Sequence, residues 1–146
     1  MHQEVGSILG YCYSKWPVTV YTKRVPQNFT VPCIYIPPPV ESDGSDTVST
    51  FLKTYTLGVK IFHVDSQQAV EKVQEIADAI RVGRYLIPIL TQDGNQTGKC
   101  IRIKRADVRS ADEGVAILSL TWNSRYKYDK PTYEKMGQLK LNENLK

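Results

Sequence analysis

The stretch TYTLGVKIFHVDSQQAVEKVQEIADAIRVG, residues 54–83, changes its hydrophobic period from two residues to about 3.6. In its first part, alternate residues from Tyr55 to His63 fall on one face, as in a strand that buries one side. Gly58 lies within this run and is expected to form a β-bulge. The first part therefore predicts a long strand whose apolar face packs against a helix.

The second part predicts that helix, over about residues 66–82. Asp65 is placed to cap its start, with Gln68 three residues further on. Gly83 stands where a residue of left-handed conformation commonly ends a helix. The apolar stripe consists of Val70, Val73, Ile76, Ala77 and Ile80. The opposite face is charged and solvated, and it offers no obvious site.

Toward the N-terminus, the pattern predicts a short helix and two short strands. The helical stripe consists of Val5, Ile8, Leu9, Cys12 and Tyr13. Pro17 prevents the helix from continuing past Trp16. The strands fall at residues 18–22 and 31–36, and Pro32 places the start of the second one at a sheet edge or a bulge.

Residues 37–47 contain prolines, Gly44 and three acidic residues, with no hydrophobic period. This composition predicts an exposed, mobile acidic loop. Its acidic residues are Glu41, Asp43 and Asp46.

Toward the C-terminus, three further strands are predicted, at residues 85–90, 99–104 and 115–122. The last is apolar at neighbouring positions, which indicates a central strand covered on both faces for part of its length. Strands grouped around one strong helix favour an α+β fold: a mixed, mostly antiparallel sheet packed against one main helix, with a short N-terminal helix. We expect one α+β domain at residues 1–128, and a C-terminal arm or tail at residues 129–146.

The C-terminal segment allows two interpretations. It carries Tyr133, Met136, Leu139, Leu141 and Leu145 among polar residues and lysines, with no turn chemistry that folds it back. It is either a frayed tail or an extended arm that orders against a neighbouring subunit.

Basic residues are concentrated in one predicted hairpin: Lys99, Arg102, Lys104, Arg105 and Arg109. Alternation places Arg102 and Lys104 on the face opposite Ile101 and Ile103. The hairpin would then direct its basic side chains to solvent and its isoleucines to the core. Such a face either guards a sheet edge in solvent or complements the charge of a protein neighbour.

No group of residues indicates catalysis, so we expect a protein that is not an enzyme. The candidate general base is His63, because the other histidine, His2, stands at the start of the sequence, and His63 has no nucleophile or orienting partner. A histidine at the end of a strand beside a helix cap is the simpler interpretation. Cys33 and Cys100 are expected to be buried thiols on strands. The spacing of histidines, cysteines and acids predicts no metal site and no cofactor.

Composition excludes further classes. With 146 residues and a net charge of +4, the chain can hold one ordinary core, and its charge is below that of a dedicated nucleic-acid arm. Three cysteines, without a C-x-x-C pair, fit a reduced intracellular chain. No apolar run has the length of a membrane-spanning helix, and no signal peptide is apparent.

The order of these elements, together with VPQNF at residues 25–29 and TWNSRY at residues 121–126, resembles a known family. This family comprises the tail terminator (tail-completion) proteins of long-tailed bacteriophages and phage-tail-like bacteriocins, and the resemblance is to its branch in Gram-positive contractile-tail clusters. The resemblance covers most of the chain, but it includes no chemical motif.

The resemblance implies a six-fold ring that caps the head-proximal end of the tail tube and stops tail polymerisation. The implied partners are further copies of the chain, the tail tube protein, the connector or neck protein, and the sheath protein in a contractile tail. The implied location is the neck-proximal end of the virion tail, after assembly in the bacterial host cytoplasm. We expect the five basic residues to face a partner or the lumen, and the acidic loop to contact an adjacent ring or subunit.

Two other functions remain open. A head-tail connector or neck protein of the same particle would share the size, fold class and ring symmetry. A basic nucleic-acid-binding module would use the same hairpin, although that strand lacks the aromatic platform of single-strand binders.

Overall fold

The computed structural model of the protein describes residues 3–129. His2 and all but the first residue of the predicted arm, residues 129–146, lie outside the described residues. The described part contains two helices and seven strands: α1 (Gln3–Lys15), β1 (Thr19–Tyr21), β2 (Cys33–Tyr35), β3 (Val40–Ser45), β4 (Thr50–Phe62), α2 (Ser66–Val82), β5 (Leu86–Leu90), β6 (Gln96–Ser110) and β7 (Val115–Lys127).

The strands form one sheet in the order β1-β2-β4-β7-β6-β5, and β3 pairs with β4 beside β2. β1 and β2 are parallel, and all the other pairs within the described residues are antiparallel. This arrangement confirms the predicted α+β fold with a mixed, mostly antiparallel sheet. It also confirms β7 as a central strand, because β4 and β6 flank it.

The helices cover one face of the sheet, which we call the inner face; the opposite side is the outer face. Alternate residues of β4 and β7 point to the inner face and are buried there: Tyr55, Leu57, Val59, Ile61, Ala116, Leu118, Leu120 and Trp122. The side chains of α2 that complete this core are Ala69, Val73, Ile76, Ala77 and Ile80. The inner-face pattern predicted for residues 54–83 is thus confirmed, except that α2 buries Ala69 fully and leaves Val70 half-buried.

The start of α2 is as predicted, but its end differs. The backbone N–H of Gln68 donates to Asp65 Oδ1 at 2.8 Å, which confirms the cap. Gly83 has a φ of −77°, so it is not left-handed, and that conformation falls instead on Arg84 (φ 61°) and Tyr85 (φ 62°). The N–H of Tyr85 donates to the carbonyl of Ile80 at 2.9 Å. The left-handed turn that ends the helix therefore begins at Arg84, one residue after the predicted Gly83.

Helix α1 docks against β5 through polar atoms as well as its apolar stripe. Ser7 is buried, and its Oγ accepts the N–H of Leu90 at 2.9 Å. Gln3 Nε2 donates to the Leu90 carbonyl at 3.1 Å. Tyr13, predicted to be on the buried stripe, is 51% exposed because it lies at its margin, near the end of the helix.

Three further expectations are wrong. Residues 40–45 of the predicted acidic loop form strand β3, in continuous antiparallel register with β4. Gly58 is paired with Ser119 without a register shift, so it forms no bulge. Cys100 is exposed, whereas Cys33 is buried, because Cys100 pairs with Pro88 on the edge strand β5.

Pro32 immediately precedes β2, which pairs with β1 on one side and β4 on the other. The prediction that this proline would begin an edge strand or a bulge is therefore wrong. The proline is accommodated because it lies outside the ladder, where no N–H is needed.

Candidate interaction surfaces

The basic residues predicted to form a surface lie on β6, and we call Lys99, Arg102, Lys104, Arg105 and Arg109 the basic surface. All five are exposed. Ile101 and Ile103, between them in sequence, are buried, which confirms the predicted alternation. The strand thus contributes to the core with one set of side chains and to solvent with the other.

A bulge in β6 concentrates this charge. Ile103 pairs with Trp122 and Arg105 with Thr121, so Lys104 is an additional residue between two consecutive pairs. Lys104 and Arg105 therefore both lie exposed, and Ala106 returns to the inner side. Lys99 lies apart from the other four, in the irregular stretch near the β5–β6 turn.

Most of these charges have no partner in the described part of the chain. Arg105 Nε lies 3.0 Å from Asp107 Oδ2, in an exposed pair of the kind that contributes little to stability. No carboxylate within residues 3–129 forms an ion pair with Lys99, Arg102, Lys104 or Arg109. Four cations are therefore available to a partner.

The outer face beside the basic surface is polar. Thr54 Oγ1 donates to Asn123 Oδ1 at 2.8 Å, and the hydroxyl groups of Thr56 and Thr121 lie 3.5 Å apart. Thr121 is also the β7 partner of Arg105, so this polar ladder is continuous with the basic surface. A sheet face of this composition is stable in water, and it can pair with a polar, acidic surface.

The acidic residues are on or beside β3, which we call the acidic strand. Glu41 Oε1 lies 3.7 Å from Lys53 Nζ, and Asp43 is the register partner of the same lysine. All six residues of β3 are exposed. Glu41 and Asp43 therefore present negative charge at one edge of the sheet.

Asp46 has a different role from the other two acids. Its Oδ2 accepts a hydrogen bond from Thr50 Oγ1 at 2.8 Å and one from Arg125 Nε at 2.6 Å. The hydrogen bond from Thr50 lowers the pKa of this carboxyl most. Burial opposes that effect, and the hydrogen bond and positive charge of Arg125 lower the pKa further, so that it lies below its ordinary value. Asp46 ties the β3–β4 turn to β7.

A half-buried polar cluster beneath α1 was not predicted from the sequence. Glu4 accepts hydrogen bonds from Trp122 Nε1 at 2.9 Å and from Ser124 Oγ at 2.7 Å. The Tyr55 hydroxyl lies 2.9 Å from that of Tyr126, and burial raises the pKa of Tyr55, with a further contribution from Tyr126. A glutamate in the first turn of a helix gives no sequence signal for contact with a strand 118 residues away. The cluster anchors α1 to β7.

His63 lies where the simpler interpretation placed it, between β4 and the cap of α2. Its ring stacks on Trp16 with 5.7 Å between centroids, and its Nδ1 accepts the N–H of Val64 at 2.8 Å. Both interactions fix the imidazole within the fold.

Within residues 3–129, no three His, Cys, Asp or Glu side chains are grouped so that they could hold a metal ion. Over the same range, neither helix combines the length and apolar character needed to cross a membrane. Burial raises the pKa of the Cys12 thiol to about 12. Burial also raises the pKa of the Cys33 thiol.

No protein-family model matches the chain. Among solved structures, a chain in the virion of a native gene transfer agent (GTA) particle is 12% identical, with a TM-score of 0.46, covering 88% of this chain and 100% of that one. This similarity is too weak to establish a shared fold.

Two relatives from Bacillus subtilis (strain 168) match all 146 residues and cover the full length of both chains. One is the uncharacterized protein YqbJ, at 43% identity, and the other is the phage-like element PBSX protein XkdJ, at 42% identity. Identity of this level over the whole of both chains shows that the protein belongs to the family of the PBSX phage-like element protein XkdJ.

Proposed function

We propose that the protein is a structural component of a phage or phage-like particle, and that it serves as the tail terminator. In this role, copies of the chain form a six-fold ring on the head-proximal end of the tail tube. The ring stops polymerisation and offers a surface for head joining. Membership of a family that includes a PBSX phage-like element protein supports the phage origin of the chain.

The observation that carries the proposal is the separation of charge across one sheet. The acidic strand β3 lies at one edge, and β6 with the basic surface lies beyond β4 and β7. Three strand spacings of about 4.8 Å place the two strands roughly 14 Å apart across the sheet. Subunits that carry opposite charge on opposite sides can meet head to tail, which is the contact that closes a ring.

The proposed partners follow from this arrangement. Further copies of the chain meet through the acidic strand and the side of the subunit that carries β6. The tail tube protein, the connector or neck protein, and a sheath protein in a contractile tail contact the remaining faces. The protein would act at the neck-proximal end of the tail, after assembly in the host cytoplasm, with no enzymatic step, membrane or specific nucleic acid involved.

Nucleic-acid binding is less well supported by the outer face. The outer-face positions of β7 beside the basic surface are Ile117, Ser119, Thr121 and Asn123, without an aromatic ring among them. Single-strand binders rely on such rings for stacking.

The proposal is tested by charge reversal at Arg102 and Lys104. We expect the double variant Arg102→Glu/Lys104→Glu to fold normally but to leave tail tubes uncapped, so that tubes grow beyond their normal length in electron micrographs. The matched control is Lys23→Glu/Arg24→Glu, two exposed cations on the β1–β2 connection with the same change of charge. Tubes of normal length with the first variant would contradict the role of the basic surface.

A further inference from the structure

The acidic strand is an open edge of the sheet. Within the described residues β3 pairs only with β4, in a continuous register from Val40–Thr56 to Ser45–Phe51. Along such a strand, every second residue directs its N–H and C=O away from the partner strand. These groups form a template for one more strand.

The other two edges are less available. The edge strand β5 contains Pro88, and Ser7 and Gln3 of α1 bond the backbone of Leu90 at its end. At the opposite side, β1 is only three residues long. β3 has neither a proline nor a bulge within its six residues.

The charges of β3 select its partner. Pairing with a second β3 would place Glu41 and Asp43 near the same residues of the other copy, and like charges across a strand pair destabilise it. A strand that carries lysines would instead be attracted. The sequence contains such a segment at residues 138–146, QLKLNENLK.

This segment has the alternation of a strand with one apolar face. Leu139, Leu141 and Leu145 fall at odd positions, with Glu143 as the exception on that face, whereas Lys140 and Lys146 fall at even positions with polar neighbours. Its nine residues are long enough to pair with the whole of β3.

The exit point of the chain favours the β3 of a neighbouring copy over its own. The N–H of Tyr128 donates to the Ser49 carbonyl at 2.9 Å, so the chain leaves beside the β3–β4 turn. Since β7 and β3 both pair antiparallel with β4, they run in the same direction. To reach its own β3 the chain would have to pass around that turn and reverse its direction. Residues 130–137 span up to about 26 Å when extended, which suits a bridge between copies.

We propose that residues 138–146 of one copy add as an antiparallel strand to the β3 edge of the next copy. This inference rests on the proposed assembly of copies, and it adds a strand contact at the β3 edge to the charge contact between copies proposed above. The contact is heterologous, with a donor segment and an acceptor edge in each copy, so it can repeat around a ring.

Disulfide trapping between two differently tagged full-length chains tests the inference. Both chains carry Cys100→Ser, which removes the exposed thiol, and one also carries Gly44→Cys, where an added Cβ meets no atom within 4 Å. The other chain carries a single cysteine at each position from 138 to 146 in turn. The control replaces Gly44→Cys by Val82→Cys, which is 85% exposed at the end of α2.

We expect mixed disulfide dimers with Gly44→Cys, at a yield roughly tenfold above the control and highest at alternate arm positions. Yields that match the control, or that show no dependence on arm position, would overturn the inference. A bond formed only within one chain, when both cysteines are placed on it, would assign the segment to its own edge and also overturn it.

The same samples separate this inference from the proposed function. Trapped dimers from a protein that never joins tube ends would retain the strand exchange and contradict the terminator role. Normal capping of tubes without trapped dimers would contradict the strand exchange alone.

Discussion

The two faces of the sheet differ in composition and in what depends on them. The inner face holds apolar side chains, the Trp122–Glu4 hydrogen bond and both helices. The outer face beside β6 holds hydroxyl groups, amides and unpaired cations. Stability therefore depends on the inner face, whereas the proposed assembly contacts lie on the opposite side of the same strands, so a single residue step along β7 changes the expected effect of a substitution.

The largest expected loss of stability comes from Trp122→Ala, on the inner face. Trp122 is fully buried and stacks on Tyr55 at 5.4 Å between ring centroids. We expect a loss of about 3–5 kcal/mol in the free energy of unfolding, measured by urea denaturation. The control Thr121→Ala, one residue earlier and on the outer face, should change that free energy by less than about 0.5 kcal/mol. Equal losses for the two variants would remove the distinction between the faces.

Gly114→Ala, in the β6–β7 turn, is expected to cause a smaller loss in the free energy of unfolding. Gly114 has a φ of +74°, and an added Cβ would lie 2.8 Å from the carbonyl oxygen of His63. A left-handed alanine costs about 1–2 kcal/mol, and displacing that carbonyl adds to the cost. Gly94→Ala is a control with a similar φ of +85° and no atom within 4 Å of an added Cβ. Thermal unfolding should therefore place Gly114→Ala below Gly94→Ala.

The third-largest loss of stability is expected in the half-buried polar cluster beneath α1. Glu4→Ala leaves Trp122 Nε1 and Ser124 Oγ without the acceptor that they have in the native protein. We expect a loss of about 1–2 kcal/mol in the free energy of unfolding. Glu71→Ala, on the solvated face of α2, provides the comparison, and a loss of the same size there would contradict the structural role of Glu4.

The smallest effect is the pH dependence at Asp46, beside the acidic strand. Because its folded-state pKa lies below the ordinary value of 3.8, its contribution is present above pH 3.8 and is lost as the pH falls through the folded-state pKa. Asp46→Asn should therefore lower stability slightly at neutral pH, and the difference from the native protein should shrink in acid. A difference that stays constant from pH 7 to pH 2.5 would rule out this linkage.

The fold was largely predictable because its strongest patterns are local. The period change in residues 54–83 placed β4 and α2 correctly, and Asp65 marked the helix start. The acidic strand was missed because Val40–Ser45 has turn-type residues and only one apolar side chain, so its strand conformation comes from pairing with β4. The bulge at Lys104 was missed for the same reason, since register depends on the partner strand.

The candidate site was partly predictable. Alternation correctly indicated that Arg102 and Lys104 are exposed, and the resemblance correctly indicated a phage origin. The terminator role, the ring and the partner-facing role of the basic surface stay predictions. Asp46 could not be separated from Glu41 and Asp43 by sequence, because its partner Arg125 is 79 residues away.

The helices, the inner-face stripe and the exposure of the basic residues follow from the amino-acid order alone, since each depends on the periodicity of neighbouring side chains. Three other features became visible only in the folded chain: the acidic segment is an edge strand, it lies across the sheet from the basic surface, and Glu4 anchors α1 to β7. Those features depend on backbone pairing and on contacts between residues far apart in the chain, which local composition does not encode.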